Sequence, residues 1–240
     1  MQKSYKLSSA AMLYAVLRLH KSGIYGVDNA LADMTDEKFP LFVQEAEMEL
    51  LKNGYATLNF DGEFELESGF GELVSRCADS AAALIVNKRY DHKASRRTIY
   101  LNGGDSPSIT ITDSSCLLAS GEESAKQVLE FLKLSNSTGE LQETLVDSTL
   151  FAQRDAEKLK QAGCSEAMAS LIVNAANGSG GYAVLTRMEN RRAVQELVLL
   201  YGPEGTVTAA VEYTATEELF RLKPVTLEAL SGQIAALMKC

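Results

Sequence analysis

Histidine is a common starting point in a search for acid–base catalysis, and this sequence of 240 residues contains two of them. His20 lies at the end of a predicted helix, where the helix dipole favours a protonated imidazole. His92 lies in a charged segment between two predicted strands. Neither histidine has a nucleophilic residue at a recognisable spacing, so we predict structural or solvent-exposed roles for both.

The four cysteines lie far apart in the sequence. They form no CxxC pair and have no histidine at metal-ligand spacing, whereas structural zinc requires clustered ligands. We therefore predict no metal site, three buried or partly buried thiols and a fourth thiol at the chain end, all in a reducing compartment. The cysteines are Cys77, Cys116, Cys164 and Cys240.

Glycine-rich segments and paired carboxylates are the remaining features that could do chemistry. Gly69-Phe70-Gly71 lacks the Lys-Ser/Thr of a phosphate loop, and Gly178-Ser179-Gly180-Gly181 precedes a predicted strand, whereas a dinucleotide loop follows one. Acidic pairs such as Asp36-Glu37, Glu122-Glu123 and Glu217-Glu218 fall at predicted helix starts, where exposed amides stabilise carboxylates. The sequence therefore predicts a protein that is not an enzyme, with no catalytic residues and no cofactor.

The overall charge narrows the classes of partner. The chain carries 23 Lys and Arg against 32 Asp and Glu, a formal net charge of -9, and an acidic surface repels nucleic acids and anionic membranes. No apolar run approaches the ~20 residues that cross a bilayer, and the N-terminal segment has no small-residue cleavage site. We predict a cytoplasmic protein that binds another protein, without nucleic-acid binding or membrane insertion.

The first 80 residues are predicted to form helices around a small hairpin. Ser8 or Ser9 can cap the first helix, and Pro40 suits the first turn of the second. Asp61-Gly62 is a strong signal for a hairpin turn. The predicted elements are helices at 8–20 and 40–53, strands at 55–60 and 63–67, and a helix at 70–80.

The rest of the chain repeats one order of elements, three strands followed by a helix. Ser120 and Glu123 predict a capping box for the first of these helices, and Thr226 can cap the second after Pro224. A helical segment at 150–177, split at Gly163, precedes the second copy. The predicted strands are 83–86, 98–101 and 108–112 before a helix at 122–132, and 182–185, 193–201 and 206–213 before a helix at 227–237.

This duplicated order predicts an α/β (α+β) protein with a pseudo-two-fold arrangement of β-β-β-α units. Two antiparallel meanders would join edge to edge in one mainly antiparallel sheet, because pairing removes one open edge from each. The helices would pack on that sheet as helical subdomains. The polar segment 135–139 is the predicted connection, so a single domain, residues 1–240, divides into pseudo-repeat halves 1–134 and 135–240.

The order of elements along nearly the whole chain resembles the EspG-like chaperones of type VII (ESX) secretion systems and their relatives in Gram-positive bacteria. Leu7–Leu13 is similar to the family's first helix, and Glu49–Tyr55 to a helix end that precedes a wing-like excursion. Arg191–Tyr213 resembles two long strands around a glycine turn, and Pro224–Leu237 resembles the final helix. No contact residue of the family maps onto a matching position in this chain.

The resemblance implies a cytosolic chaperone that requires neither chemistry nor a cofactor. Members of the family hold secretion substrates that are helical-hairpin dimers, and they cover a hydrophobic tip until export. The implied partners are secreted helical-hairpin proteins of the WXG, PE–PPE or LXG type. A pseudo-two-fold sheet with two helical subdomains is also implied.

A second hypothesis comes from the N-terminal elements alone. Helices 8–20 and 40–53 with the following hairpin imitate a winged helix-turn-helix, with a sensing domain after residue 80. The second helix would enter the major groove, but its Glu45, Glu47 and Glu49 would then face phosphates, which repel carboxylates. A winged-helix DNA-binding regulator is the alternative to a protein-binding chaperone.

The turn tips of the two meanders are the predicted docking sites, since loops on a rigid scaffold commonly carry recognition. Tyr100, Tyr201 and Tyr213 lie near the tips on strands that expose alternate residues, and Tyr is enriched at interface hot spots. The alternative is that each ring completes the core. The second tip is favoured because its strands are longer. The predicted partner-binding residues are Tyr201, Gly202 and Glu204 at the second tip and Asn102 and Asp105 at the first.

Overall fold

The chain folds around one large antiparallel sheet in the computed structural model, which describes residues 3–28, 34–103, 106–113, 115–121, 124–134, 140–215 and 217–239. The first-half elements are β1 (Ser4–Ser8), α1 (Ser9–Arg18), α2 (Phe39–Lys52), β2 (Ala56–Leu58), β3 (Phe64–Leu66), α3 (Ser68–Ala78), β4 (Ala82–Tyr90), β5 (Lys93–Tyr100), β6 (Ser108–Thr112), β7 (Ser115–Ala119) and α4 (Ala125–Leu132). The second-half elements are β8 (Thr144–Asp147), α5 (Ser148–Gln153), α6 (Ala156–Gln161), α7 (Glu166–Asn177), β9 (Gly181–Glu189), β10 (Arg192–Gly202), β11 (Gly205–Tyr213), β12 (Glu218–Pro224) and α8 (Leu227–Met238).

The strand order is symmetric about the centre of the sheet. Within the described residues ten strands run in the order β1-β7-β6-β5-β4-β9-β10-β11-β12-β8, with β2 and β3 in a separate hairpin. Strands β4 and β9 join the halves as an antiparallel pair in which Val86 lies opposite Leu185. The predicted single sheet with a pseudo-two-fold arrangement is confirmed, and the axis passes through this central pair.

Equivalent hairpin turns show how closely the halves match. Asp91-His92 joins β4 to β5, and Asn190-Arg191 joins β9 to β10. All four residues have left-handed backbone, with φ of 51°, 59°, 47° and 64°. Two consecutive positive φ angles define the tight turn whose twist matches paired strands. The same turn therefore closes both central hairpins.

The helices cover the two faces of the sheet differently. Ile99 belongs to the core under α4 and α8, while its neighbour Tyr100 belongs to the core under α1–α3. In the second half Leu199 contacts the α4–α8 core and Leu200 contacts the core under α5–α7. Since neighbouring strand residues point to opposite faces, α4 and α8 share one face and the two helical subdomains lie on the other.

Cationic side chains at equivalent strand positions cap the C-termini of α4 and α8. The Lys88 ammonium of β4 donates to the Phe131 carbonyl and lies 4.2 Å from the centre of its ring. Arg187 of β9 donates to the carbonyls of Leu237, at 2.8 Å, and Lys239. A positive charge at a helix C-terminus is favourable, so each half holds its last helix to the sheet in the same way.

Several predicted elements form near their expected positions. Helix α1 has the predicted Ser8 cap, α2 has Pro40 in its first turn, and α8 has the Thr226 cap. The Asp61-Gly62 turn connects β2 to β3 as expected. The helical segment of the second half breaks at Gly163 and again before Ala156, into α5, α6 and α7.

Four strands were missed, because they are short and sit at the outside of the sheet. Strands β1, β7, β8 and β12 have between four and seven residues, and β1 and β8 form the two edges of the sheet. Strands β4 and β5 extend to Tyr90 and from Lys93, beyond the predicted strands 83–86 and 98–101, and His92 lies in the turn between them. Pairing with neighbouring strands rather than local propensity makes these segments strands.

The capping box before α4 was assigned to the wrong pair. The Ser124 hydroxyl accepts from the Gln127 amide, and the Gln127 side chain accepts from the Ser124 amide, so the helix begins at Ala125. Glu123 lies outside the described residues, as does the predicted connection 135–139. The boundary between the halves stays a prediction.

Candidate partner-binding surfaces

The favoured docking residue Tyr201 lies inside the molecule. Its side chain is 1% exposed and stacks on Tyr90, with ring centroids 5.9 Å apart and planes 3° from parallel. The ring covers Gly181, where an added Cβ would lie 2.4 Å from Cε2 of Tyr201. Burial raises the pKa of the Tyr201 hydroxyl. The expectation that this ring is exposed is wrong, since it bridges two strands over a glycine.

The rest of the second tip packs against α7. Gly202 is buried, and a Cβ on it would lie 3.2 Å from Cδ1 of Leu171. Glu204 is half-buried and accepts a hydrogen bond of 2.9 Å from the Asn174 amide. This tip is therefore fixed to the second helical subdomain and does not project from the sheet.

The first tip lies at the opposite end of the sheet. Asn102 is exposed and donates to the Arg76 carbonyl at 3.1 Å, whereas Asp105 lies outside the described residues. Because β4 and β9 are antiparallel, β5 and β10 end in opposite directions. The structure thus separates the predicted docking residues into two places, and partner binding at either tip stays a prediction.

The three tyrosines near the tips differ in exposure. Tyr100 is fully buried, and its hydroxyl donates to the Tyr25 carbonyl at 2.6 Å. Tyr213 is 78% exposed at the end of β11. Exposure was therefore predicted correctly for Tyr213 alone, and the core alternative holds for Tyr100 and Tyr201.

The three described thiols are buried, whereas both histidines are exposed. Cys77, Cys116 and Cys164 are buried, as predicted, and form no disulfide with one another, and burial raises the pKa of the Cys116 thiol to about 12, with the Glu49 charge adding to the effect. A thiol that stays protonated is a poor nucleophile. The His92 ring lies against Gly178, where an added Cβ would come within 2.5 Å of Nδ1. No cluster of three potential metal ligands occurs among the described residues.

Two of the three glutamates of helix α2 bond to α1 and to its N-cap residue. Glu47 accepts from the Tyr14 hydroxyl, and Glu49 accepts from the Ser8 hydroxyl and amide, both at 2.6 Å. The expectation that all three glutamates would face phosphates is therefore wrong for two of them. Glu45 is exposed. The helix uses these carboxylates to hold α1, which is a structural role.

Exposed apolar side chains concentrate on two surfaces of the described residues. The first, the α2–wing surface, is formed by Phe39, Leu41 and Met48 of α2 with Leu58 and Phe60 around the β2–β3 hairpin. The second lies along β10 and β11, where Val194, Val211 and Tyr213 are 52%, 44% and 78% exposed. Exposed apolar groups of this size in a cluster mark interaction surfaces.

The second surface coincides with a gap in the sheet. Strands β10 and β11 pair only from Val198–Ala209 to Gly202–Gly205. Beyond that point Arg192–Leu197 of β10 and Ala210–Tyr213 of β11 run on without pairing to each other. We name the space between these two segments the β10–β11 slot. No sequence pattern predicted it, because pairing registers decide where a ladder ends.

Sequence comparison and structural comparison give different results. No protein-family model and no curated protein matches the chain in sequence. A solved structure of the Mycobacterium tuberculosis type VII secretion system chaperone EspG5 in complex with a PE25–PPE41 dimer is similar over 98% of this chain and 96% of that chain, with a TM-score of 0.64. The fold is EspG-like. The EspG-like resemblance predicted from the order of elements is therefore confirmed for the fold. Because sequence identity is only 9%, the confirmation does not extend beyond the fold.

Proposed function

We propose that this protein is a cytoplasmic chaperone that holds a secreted protein of a type VII secretion system. The observation that carries the proposal is the EspG-like fold over 98% of the chain, since EspG5 is a chaperone of that system described in complex with a protein dimer. The proposal requires no chemistry and no cofactor.

The surface of the molecule supports protein binding. The α2–wing surface and the β10–β11 slot expose apolar side chains on a rigid sheet and on a packed helix. Covering apolar surface is favourable by roughly 25 cal/mol per Å², so such surfaces can retain an aggregation-prone partner. No helix among the described residues is long and apolar enough to span a membrane.

The proposed partners are helical-hairpin proteins of the PE–PPE type, or their WXG- and LXG-type counterparts. The chain would cover the apolar tip of such a partner until export. A net charge of -9 keeps the complex soluble and disfavours contact with nucleic acid.

Co-expression tests this function. Helical-hairpin proteins encoded beside this gene should aggregate when expressed alone and should elute as a defined complex with this chain by size-exclusion chromatography with light scattering. The matched control is the same co-expression with an unrelated acidic protein of similar size. If none of the neighbouring helical proteins forms a complex or gains solubility, the proposed function is wrong.

A further inference from the structure

The backbone groups that line the β10–β11 slot can be assigned from hydrogen bonds on either side of it. The Val225 amide donates to the Thr206 carbonyl at 3.0 Å, continuing the β11–β12 ladder. Since residues of a strand bond alternately to their two neighbours, even-numbered residues of β11 bond to β12 and odd-numbered ones face β10. The amides and carbonyls of Val211 and Tyr213 therefore face the slot.

The same reasoning applies to β10. The Asn190 amide donates to the Ala81 carbonyl at 2.8 Å, so even-numbered residues of β9 bond to β4 and odd-numbered ones bond to β10. Gln195 and Leu197 are the residues of β10 that bond to β9. Glu196 consequently turns its amide and carbonyl toward β11, where pairing has ended at Val198.

A bulge lies in the part of β10 that does not pair with β11. The register of β10 against β9 shifts between Ala193 and Gln195, which leaves Val194 as an extra residue. Bulges bend a strand and increase its twist. Strand β5 has no such shift, and its Arg96 pairs with Ile111 of β6, the position equivalent to the unpaired Glu196. The slot therefore distinguishes the β9–β10 hairpin from the otherwise equivalent β4–β5 hairpin.

The chemistry of the slot selects its occupant. Within the described residues the amides and carbonyls of Glu196, Val211 and Tyr213 that face the slot have no backbone partner, and a helix placed there would bury them without one, which is costly. An extended segment would pair with them and place alternate side chains against the exposed apolar groups. We propose that the β10–β11 slot binds an extended segment of a protein partner by strand addition.

Charges at the mouth of the slot define the segment further. Arg192 begins β10 on one wall, and Glu218 is the β12 residue that pairs with Tyr213 of the other wall; both side chains are exposed and unpaired within the described residues. The complementary occupant has apolar residues at alternate positions, a carboxylate that reaches Arg192 and a cation that reaches Glu218. This assignment rests on the proposed function, because it locates a protein partner on the chain.

A matched pair of substitutions isolates the backbone contribution. Glu196→Pro removes the amide that faces the slot and leaves the β9 ladder intact, since β9 bonds to Gln195 and Leu197. Glu196→Ala removes the side chain and keeps the amide. Leu145→Pro is the positional control. Even-numbered residues of β11 form hydrogen bonds with odd-numbered residues of β12, so the even-numbered residues of β12 form hydrogen bonds with even-numbered residues of β8. The amide of the odd-numbered residue Leu145 therefore faces the outer edge of the sheet.

The probe is a phage-displayed library of random ten-residue peptides selected on the full chain. The most enriched peptide, made synthetically, should bind the parent, Glu196→Ala and Leu145→Pro within twofold. Its affinity for the Glu196→Pro variant should be at least tenfold lower than for the parent. A peptide that is N-methylated at alternate amides should lose affinity for the parent by the same factor. Arg192→Glu should also weaken a peptide that carries a carboxylate by about tenfold, which is 1.4 kcal/mol.

Amide hydrogen exchange on the unmodified chain tests the proposal independently, so the test does not depend on the folding of Glu196→Pro. The amides of Glu196, Val211 and Tyr213 should slow at least tenfold in the presence of the peptide, while the Leu145 amide stays unchanged. Absence of any enriched peptide, equal binding to Glu196→Pro, or protection confined to other amides contradicts the proposal.

Two other outcomes would reassign the slot. Enriched peptides that are helical when bound would overturn strand addition. A concentration-dependent dimer of the chain that Glu196→Pro dissociates would identify the occupant as a second copy. If the neighbouring helical proteins bind the chain but ignore slot substitutions, the chaperone function stands and the slot assignment alone fails.

Discussion

The two halves of the molecule share a strand order but differ in how completely they cover their part of the sheet. In the first half, α2 and α3 have 14 and 11 residues, and Ile111 of β6 packs against the core beneath them. In the second half, α5 and α6 have six residues each, and Val211 at the equivalent position is 44% exposed. The smaller helical subdomain leaves apolar sheet surface uncovered.

The outer edges of the sheet show the same difference. Two of the three β1 amides that face outward are occupied, because the Lys6 amide donates to the Tyr55 hydroxyl at 3.1 Å and the Ser8 amide to Glu49. No side chain of the described residues bonds to the outward amides of the equivalent strand β8. Open edges invite pairing with other chains. In a duplicated fold, side chains can therefore cover the sheet edge of one half while the sheet edge of the other half stays open to a partner.

The largest expected effect concerns Tyr201, which the sequence marked for recognition and the structure places in the core. Tyr201→Ala should lower the free energy of unfolding by about 3–5 kcal/mol, because it empties a buried aromatic site. Tyr213→Ala, at an exposed position, should change it by no more than about 0.5 kcal/mol. Urea unfolding of both variants measures the difference.

Tyr201→Phe is the control for the first prediction. The buried Tyr201 hydroxyl has no hydrogen-bond partner among the described residues, so its removal should leave stability unchanged or raise it. Equal losses for Tyr201→Ala and Tyr213→Ala would show that the second tip is not a packed part of the core.

The next effect concerns the glycine beneath that ring. Gly181→Ala places a Cβ 2.4 Å from Cε2 of Tyr201, so the ring must move and unfolding should become easier by about 1–3 kcal/mol. The matched control is Gly232→Ala in α8, where an added Cβ meets nothing within 4 Å and helix propensity should add about 0.5–1 kcal/mol. Thermal melts that shift in the same direction for both variants would rule out the close Tyr201–Gly181 contact.

A smaller effect is expected at the closed edge of the first half. Tyr55→Phe removes the acceptor of the Lys6 amide and should cost about 0.5–1.5 kcal/mol. Exchange of the Lys6 amide should accelerate toward the rate of the Leu145 amide on β8. Unchanged exchange at Lys6 would mean that the Tyr55 hydroxyl does not protect this edge, and the contrast between the two edges would disappear.

The smallest effect is the pH dependence of two helix caps, one in each half. Hydrogen bonds from the Phe70 and Gly69 amides lower the pKa of Glu67 at α3, and the Thr149 hydroxyl with the Leu150 and Thr149 amides lowers that of Asp147 at α5. A lowered folded-state pKa stabilises the fold above the unfolded-state pKa of about 4, and that contribution disappears as pH falls through the folded-state value.

Glu67→Gln and Asp147→Asn should each reduce the loss of stability between about pH 5 and pH 2, because the substituted caps no longer titrate. Unfolding curves across this range provide the measurement. A variant that keeps the full acid dependence of the parent would show that its cap does not contribute to it.

The sequence was most informative where local chemistry decides structure. Ser8, Pro40 and Thr226 marked helix starts correctly because a cap depends on residues within one turn. Strands β1 and β8 escaped prediction because their ladders join residues far apart in the chain, as when Ser4 pairs with Ala119. Residues 87–90 and 93–97 lack apolar alternation, and they form strands because they pair with each other and with β9 and β6.

The sequence by itself determined the class of the protein: an acidic α+β chain with two copies of one element order, whose resemblance predicted the EspG-like fold. Tertiary structure alone decided which tyrosines are buried and where recognition is possible. Tyr201 and Tyr213 are the same residue type on adjacent strands, yet one stacks across Gly181 and the other projects into solvent. Exposure depends on strand register, on one bulge at Val194 and on the size of the helices above, and these arise only when distant segments pack together.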